Sequence, residues 1–197
     1  KLLAGAEDAY VTLNLLDALI GASQPCGAEV IRAVVQILKT GTNEEILERV
    51  VELLGQQARR HTLDNLTGFF EKTEPRKQGL ILDVVERQAR EHRVENKAGL
   101  SEFLYKILRQ PQSPLRGRAA VVLWLLGDDD AVQSLKDVLR EAPAEQCASL
   151  LRRLTGSLQP EIVGLLAPLL RSDSQPLQEA VRDTLQGELC PQTRDKL

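Results

Sequence analysis

Helix-breaking residues recur along this chain at a steady interval, and that spacing limits the folds open to it more than any other feature. Proline or glycine breaks fall near Gly21 to Gly27, Thr40 to Thr42, Gly55, Pro75, Gly99, Pro111 to Pro114, Gly127, Pro143, Gly156 to Pro160, Pro176 and Gly187. Each interval holds one segment whose apolar residues stand three and four apart, as in Ile46, Val50, Leu53 and Leu54, or Leu135, Val138 and Leu139. That is the period of a helix with one buried face.

Paired in order, the first helices of successive hairpins begin near Ala6, Thr42, Glu74, Ser113, Pro143 and Ser174, at intervals of 36, 32, 39, 30 and 31 residues. One hairpin cannot bury its apolar stripe alone, whereas hairpins stacked side by side bury it continuously. The expectation is an all-α chain of about five and a half helical hairpins, with a half repeat from residue 174. Aromatic residues make up only 3% of the chain and small or medium aliphatics dominate its apolar share, which suits close helix packing better than a sheet core. Local signals agree. Pro114 and Pro176 fall where a first helical turn tolerates proline. Thr42 with Glu45 reads as a capping box ahead of Ile46. Gly55, Gly127 and Gly156 stand where left-handed caps should end helices. Gly164 and Pro168, inside the apolar run from Ile162 to Leu170, predict a short or kinked helix.

The stretch from Ser113 to Arg140, SPLRGRAAVVLWLLGDDDAVQSLKDVLR, resembles a HEAT repeat, with Pro114, Leu115-Arg116, Ala119-Ala120, Leu126-Gly127, Asp128, Ala131, Leu135 and Leu139 in the family's places. TNEEILERVVELLG from Thr42 and QPLQEAVRDTLQG from Gln175 match the first-helix half of that pattern. The resemblance implies a right-handed α-solenoid over residues 1–197 as one HEAT-like domain that binds another protein on its curved surface. It also implies that Arg116 and Asp128 form a structural ladder, bonding helix ends to neighbouring loops, and that second helices line the concave face. Some HEAT-like proteins bind DNA, among them alkylpurine glycosylases with a strongly basic groove and a Trp. This chain carries a formal charge of −3 and sets Trp124 within a first-helix stripe, so nucleic acid is the alternative and a protein the expected partner. HEAT-like bilin lyases exist too, but no motif here supports that activity.

Catalytic constellations are missing from the sequence. It has no phosphate-binding Gly-x-x-x-x-Gly-Lys loop, no Gly-x-Gly-x-x-Gly turn, no Gly-x-Ser-x-Gly elbow and no His-Glu-x-x-His pair. Cys26, Cys147 and Cys190 are widely spaced, without a Cys-x-x-Cys pair, so they read as buried thiols and not as a disulfide framework or zinc site. His61 and His92 sit among polar residues and read as exposed. Asp128, Asp129 and Asp130 lack the alternating spacing of a calcium loop and are explained by capping at a helix start. No enzyme activity, metal or cofactor is therefore expected. No run reaches the roughly 18–20 apolar residues of a membrane-spanning helix. The chain contains no Met, and with its half repeat it reads as a segment of a longer protein, any targeting signal lying elsewhere and a cytoplasmic setting expected.

Charge is unevenly distributed. Residues 1–55 hold 4 basic and 8 acidic side chains, residues 56–118 hold 13 and 8, and residues 119–197 hold 8 and 12. Of the six aromatics, Phe69, Phe70, Phe103 and Tyr105 lie in the same basic middle, on second helices. Phe69 and Phe70 point about 100° apart on a helix, so one can face the core while the other leaves it. The expected partner-binding set is Arg59, Arg60, Phe70, Arg90, Arg93 and Tyr105, receiving an acidic or amphipathic segment of a partner protein.

Overall fold

The computed structural model describes residues 9–22, 24–154 and 160–192. Among them the chain is all-α, with eleven helices and no strand. Residues 1–100 and 101–197 form two compact units.

The first unit contains α1 (Ala9–Ile20), α2 (Ala28–Thr40), α3 (Glu44–Gln57), α4 (Arg60–Phe70) and α5 (Pro75–Arg90). Helix α3 is its centre, packed against α1, α2 and α5, while α4 contacts α2 and α5. The reason is legible in its face. Leu47, Val50, Val51, Leu53 and Leu54 are all buried, a stripe wide enough to need neighbours on more than one side. Val34 and Leu38 of α2 and Ile81, Leu82, Val84 and Val85 of α5 are buried as well. Each fully buried Leu or Val contributes about 1.5–3 kcal/mol relative to exposure.

The second unit holds most of α6 (Lys97–Leu108), then α7 (Arg116–Leu126), α8 (Ala131–Glu141), α9 (Ala144–Leu154), α10 (Pro160–Leu169) and α11 (Gln175–Gln192). Helix α7 is apolar nearly all round, with Ala119 to Trp124 and Leu126 buried, and it packs on α8 and α9. A helix of that composition is stable only inside a protein. Helix α9 also packs on α11, whose Leu177, Ala180, Val181 and Thr184 form a buried stripe at helical spacing. The Thr184 hydroxyl donates to the Ala180 carbonyl at 2.6 Å and so keeps a polar group in that core.

Helices α3, α5, α9 and α11 begin at Glu44, Pro75, Ala144 and Gln175, one or two residues after the read positions. Helix α7 begins at Arg116, with Pro114 in the preceding turn instead of the first helical turn. Pro176 lies in the first turn of α11, and α10, which holds Pro168, is short at 10 residues. The start near Ala6, the stop at Gly156 and the Cys190 side chain lie outside the described residues.

Several boundary signals are corrected. The cap of α3 is Asn43, whose side chain accepts from the Ile46 amide at 3.1 Å, and not Thr42, which lies one residue too early to reach it. Gly55 is buried inside α3, and the helix ends two residues later, where the Ala58 amide bonds the Leu54 carbonyl. Gly99 falls within the first turn of α6, whose start is capped by Asn96 accepting from the Gly99 amide at 3.2 Å. Gly187 interrupts nothing, since α11 runs through to Gln192. Gly127 does end α7 in the left-handed region, at φ 72°. Its amide bonds the Trp124 carbonyl and the Asp128 amide bonds the Leu123 carbonyl, a Schellman closure.

Candidate partner-binding surface

Two turns of the first unit carry its basic residues to one corner. The turn between α3 and α4 ends on Arg59, with Arg60 and His61 opening α4, and the segment after α5 holds His92 and Arg93. They are joined by the Arg93 guanidinium, which donates to the Gln56 carbonyl. Beside that bond, Gln88 of α5 is fully buried and its amide donates to the Leu54 and Gly55 carbonyls at 3.3 and 2.6 Å. Three carbonyls at the end of α3 thus take side-chain donors from α5 and the turn after it, which satisfies groups a helix terminus leaves open.

Helix α5 ends in the same Schellman pattern as α7. The His92 amide bonds the Ala89 carbonyl, and the Arg93 amide bonds the Gln88 carbonyl. The left-handed position is here taken by His92, at φ 54°. A side chain at that conformation is strained, and glycine would hold it at lower cost.

The start of α4 has unusual electrostatics. Its N-cap is Arg59, which makes no side-chain cap, and Arg60 and His61 follow. A helix N-terminus carries a partial positive charge, so cations there oppose the dipole instead of complementing it. Helix α2 has Gly27 as its N-cap, likewise without a side-chain cap. A hollow of about 290 Å³ lies between the two starts, lined among others by Cys26, Gly27, Gln57, Arg59 and His61. The Cys26 amide donates to the Gln57 side chain at 2.6 Å and ties the approach to α2 to the end of α3. Burial pushes the Cys26 thiol up, only partly offset by the Gln57 bond, so it stays protonated at neutral pH and lacks the thiolate a nucleophile needs. What the corner can do chemically is attract an anion.

The expected site residues fall as follows. Arg59, Arg60 and Arg93 are exposed at this corner. Among the described residues Arg59 forms no ion pair; Arg60 lies 3.8 Å from Asp64 and Arg93 2.8 Å from Glu91, both exposed pairs of small energetic worth. Arg90 is half-buried and bonds the buried Glu86 carboxylate at 3.0 Å, which is a structural role. Phe70 is 6% exposed and belongs to the core, a correction to its place in the binding set. Its neighbour Phe69 is the one that leaves the core, and Lys39 covers its ring at 4.8 Å. Tyr105 lies in the second unit, half-buried, with its hydroxyl donating to Asp128.

Arg116 and Asp128 bond helix ends and loops, though not one another: Arg116 pairs with Glu141 at the end of α8, and Asp128 accepts from Tyr105 and from the Asp130 amide. Among the described residues no cluster of three or more His, Cys, Asp or Glu could hold a metal ion, and no helix is long and apolar enough to cross a membrane. Sequence reasoning missed Gln88 and His92. Gln88 was detectable as the one amide in the apolar stripe Val84, Val85, Ala89, whereas nothing local marks His92 as left-handed. The sequence matches no protein-family model and no curated protein.

Proposed function

We propose that this chain is a non-enzymatic, HEAT-like α-solenoid scaffold that binds an acidic segment of a partner protein, with the first unit's basic corner as a contact surface. The observation that carries the reading is the placement of Arg59, Arg60 and His61 at the positive end of α4 without a side-chain cap. The fold gains little electrostatically from Arg59 and Arg60 there, their one ion pair being the exposed Arg60–Asp64 contact, while an external carboxylate gains from both and from the helix start. Further support for the hairpin reading comes from the contacts α1–α3–α5 and α2–α4 in one unit and α7–α9–α11 and α8–α10 in the other, in which alternate helices pack side by side. The DNA-binding alternative draws on an accessible Trp in a basic groove, and Trp124 is 5% exposed.

The test is affinity capture from the source organism's lysate with wild-type chain beside the Arg59→Glu/Arg60→Glu variant. Arg90 and Arg93 are left intact because both support the fold. A protein recovered at low salt by the wild type and lost from the variant supports the reading. Identical recovery by both baits moves the contact surface away from this corner.

A further inference from the structure

Arg59 and Arg60 are neighbours in the chain, yet they line different hollows. Arg60 stands with Asp64, Val94 and Asn96 around a space of about 20 Å³, room for one water, and it already pairs with Asp64. Arg59 lines the hollow of about 290 Å³ beside the start of α2. Among the described residues around that hollow none is Asp or Glu, and Arg59 forms no ion pair. Pro25 and the buried Ile31 give it an apolar wall. Thr62, which is 3% exposed, also lines it. The Thr62 hydroxyl has only His61 Nε2 as a polar neighbour, at 3.5 Å, longer than a good hydrogen bond. A buried hydroxyl held so loosely is a cost that an oxygen of a ligand removes.

We infer that this hollow is the anchoring pocket of the basic corner, taking one carboxylate side chain of the partner's acidic segment onto Arg59, with Arg60 left at the edge. Size and charge decide the occupant. The volume falls just short of the roughly 300–1,000 Å³ of sites that enclose small ligands, so the hollow admits a side chain and not a nucleotide or cofactor. Its one arginine balances the single charge of a carboxylate, whereas a phosphorylated side chain brings about −1.5 to −2. A guanidinium grips a carboxylate side-on through two parallel hydrogen bonds, and the Thr62 hydroxyl can donate a third. The methylene groups of the entering side chain then lie against Pro25 and Ile31. The inference rests on the reading of this corner as a contact surface, but it separates two arginines that the reading treats alike.

The experiment uses a fluorescein-labelled, C-terminally amidated octapeptide of alternating glutamate and glycine, titrated with the whole chain at low salt and followed by anisotropy. A second readout is alkylation of Cys26, which lines the same hollow, by iodoacetamide, measured by mass spectrometry with and without unlabelled peptide. It is run at alkaline pH, because burial keeps this thiol protonated at neutral pH. Saturable binding is expected, with Cys26 alkylation falling in proportion to the fraction of chain occupied. Affinity should fall by about tenfold or more in Arg59→Ala and about threefold in Thr62→Val, while Arg60→Ala should cost less than about threefold. The peptide with glutamine in place of glutamate should bind about tenfold more weakly. Equal losses in Arg59→Ala and Arg60→Ala, or Cys26 alkylation untouched by bound peptide, would overturn the pocket while leaving the basic corner standing as a contact surface. Tighter binding of the peptide with phosphoserine in place of glutamate would overturn the carboxylate assignment. Binding that neither arginine variant alters, or no binding at all, would overturn the corner and the pocket together.

Discussion

The Tyr105 hydroxyl of α6 donates a 2.5 Å hydrogen bond to Oδ1 of Asp128, in the turn that links α7 to α8. The bond joins two segments 23 residues apart and fixes an aspartate that also receives the Asp130 amide at the start of α8. Tyr105→Phe keeps the ring and removes only this bond. It should cost about 1.5–3 kcal/mol, the range for hydrogen bonds to charged groups, read as a lowered denaturant midpoint with an unchanged slope.

The same bond sets a pH dependence. Burial raises the Tyr105 pKa most, and the hydrogen bond to Asp128 and the charges of Asp128 and Asp130 add to it. A phenol whose folded pKa is raised contributes stability that is complete below the unfolded value of about 10 and is lost as pH rises through the folded value. Wild type should therefore lose more stability than Tyr105→Phe above about pH 10, and the two should converge there. An ultraviolet titration of tyrosinate should show a late-ionising phenol in the wild type that is missing from Tyr105→Phe. Parallel stability curves for the two proteins would contradict the assignment.

Gly55 owes its place to the close crossing of α3 and α5. A Cβ at this position would lie 2.9 Å from Arg87 Cβ and 2.6 Å from Arg87 Cδ. In an open helix, alanine would be favoured over glycine by about 1 kcal/mol. Here Gly55→Ala should instead destabilise by about 1–2 kcal/mol, because overpacking costs more than propensity returns. Arg87→Ala in that background removes the Cδ contact but keeps Cβ, so recovery should be partial. Full recovery, or a stabilised single variant, would show that the helices move apart at little cost.

That glycine also shows where the sequence is ambiguous. Helix existence and order could be read from spacing alone, because Pro75, Pro143 and Pro176 cannot continue a helix and the apolar stripes between the breaks repeat at three and four. Glycine carries no such single meaning. Gly127 ends a helix through its left-handed backbone, whereas Gly55 sits inside one to admit a neighbour, and only tertiary contacts separate the two. The basic segment was legible in the sequence, whereas the bond by which Arg93 reaches the Gln56 carbonyl was not. Which member of the Phe69–Phe70 pair is buried, and that Arg90 serves Glu86, depends on the direction each helix face takes, and composition is blind to it.

His92 gives a sharper test of strain at the basic corner. It occupies the left-handed position of the α5 closure at φ 54°, the place Gly127 fills at the end of α7. His92→Gly should stabilise the chain by about 0.5–1 kcal/mol, the relief of left-handed strain less the added freedom of the unfolded chain. If the corner binds an anion, the same variant should bind the partner more weakly despite being more stable. Unchanged or lowered stability in thermal melts would mean that the histidine side chain supports the turn.

The basic corner separates into residues that hold the fold and residues that do not, and stability measurements should divide them before any partner is known. Arg90→Ala withdraws a guanidinium that bonds a carboxylate only 7% exposed. It should cost about 2 kcal/mol, or roughly 4–8 °C in Tm for a chain of this size. Arg59→Glu and Arg60→Glu exchange exposed cations at the α4 N-terminus for anions that complement its dipole. Arg59→Glu should leave stability unchanged or raise it by about 0.3–1 kcal/mol, and Arg60→Glu, which also exchanges the Asp64 ion pair for a like-charge pair, should be near neutral. The gain should shrink in high salt, since screening removes exposed charge–dipole interactions first. If all three variants lost stability alike, Arg59 and Arg60 would be structural, and the argument that they are retained for an external carboxylate would fail.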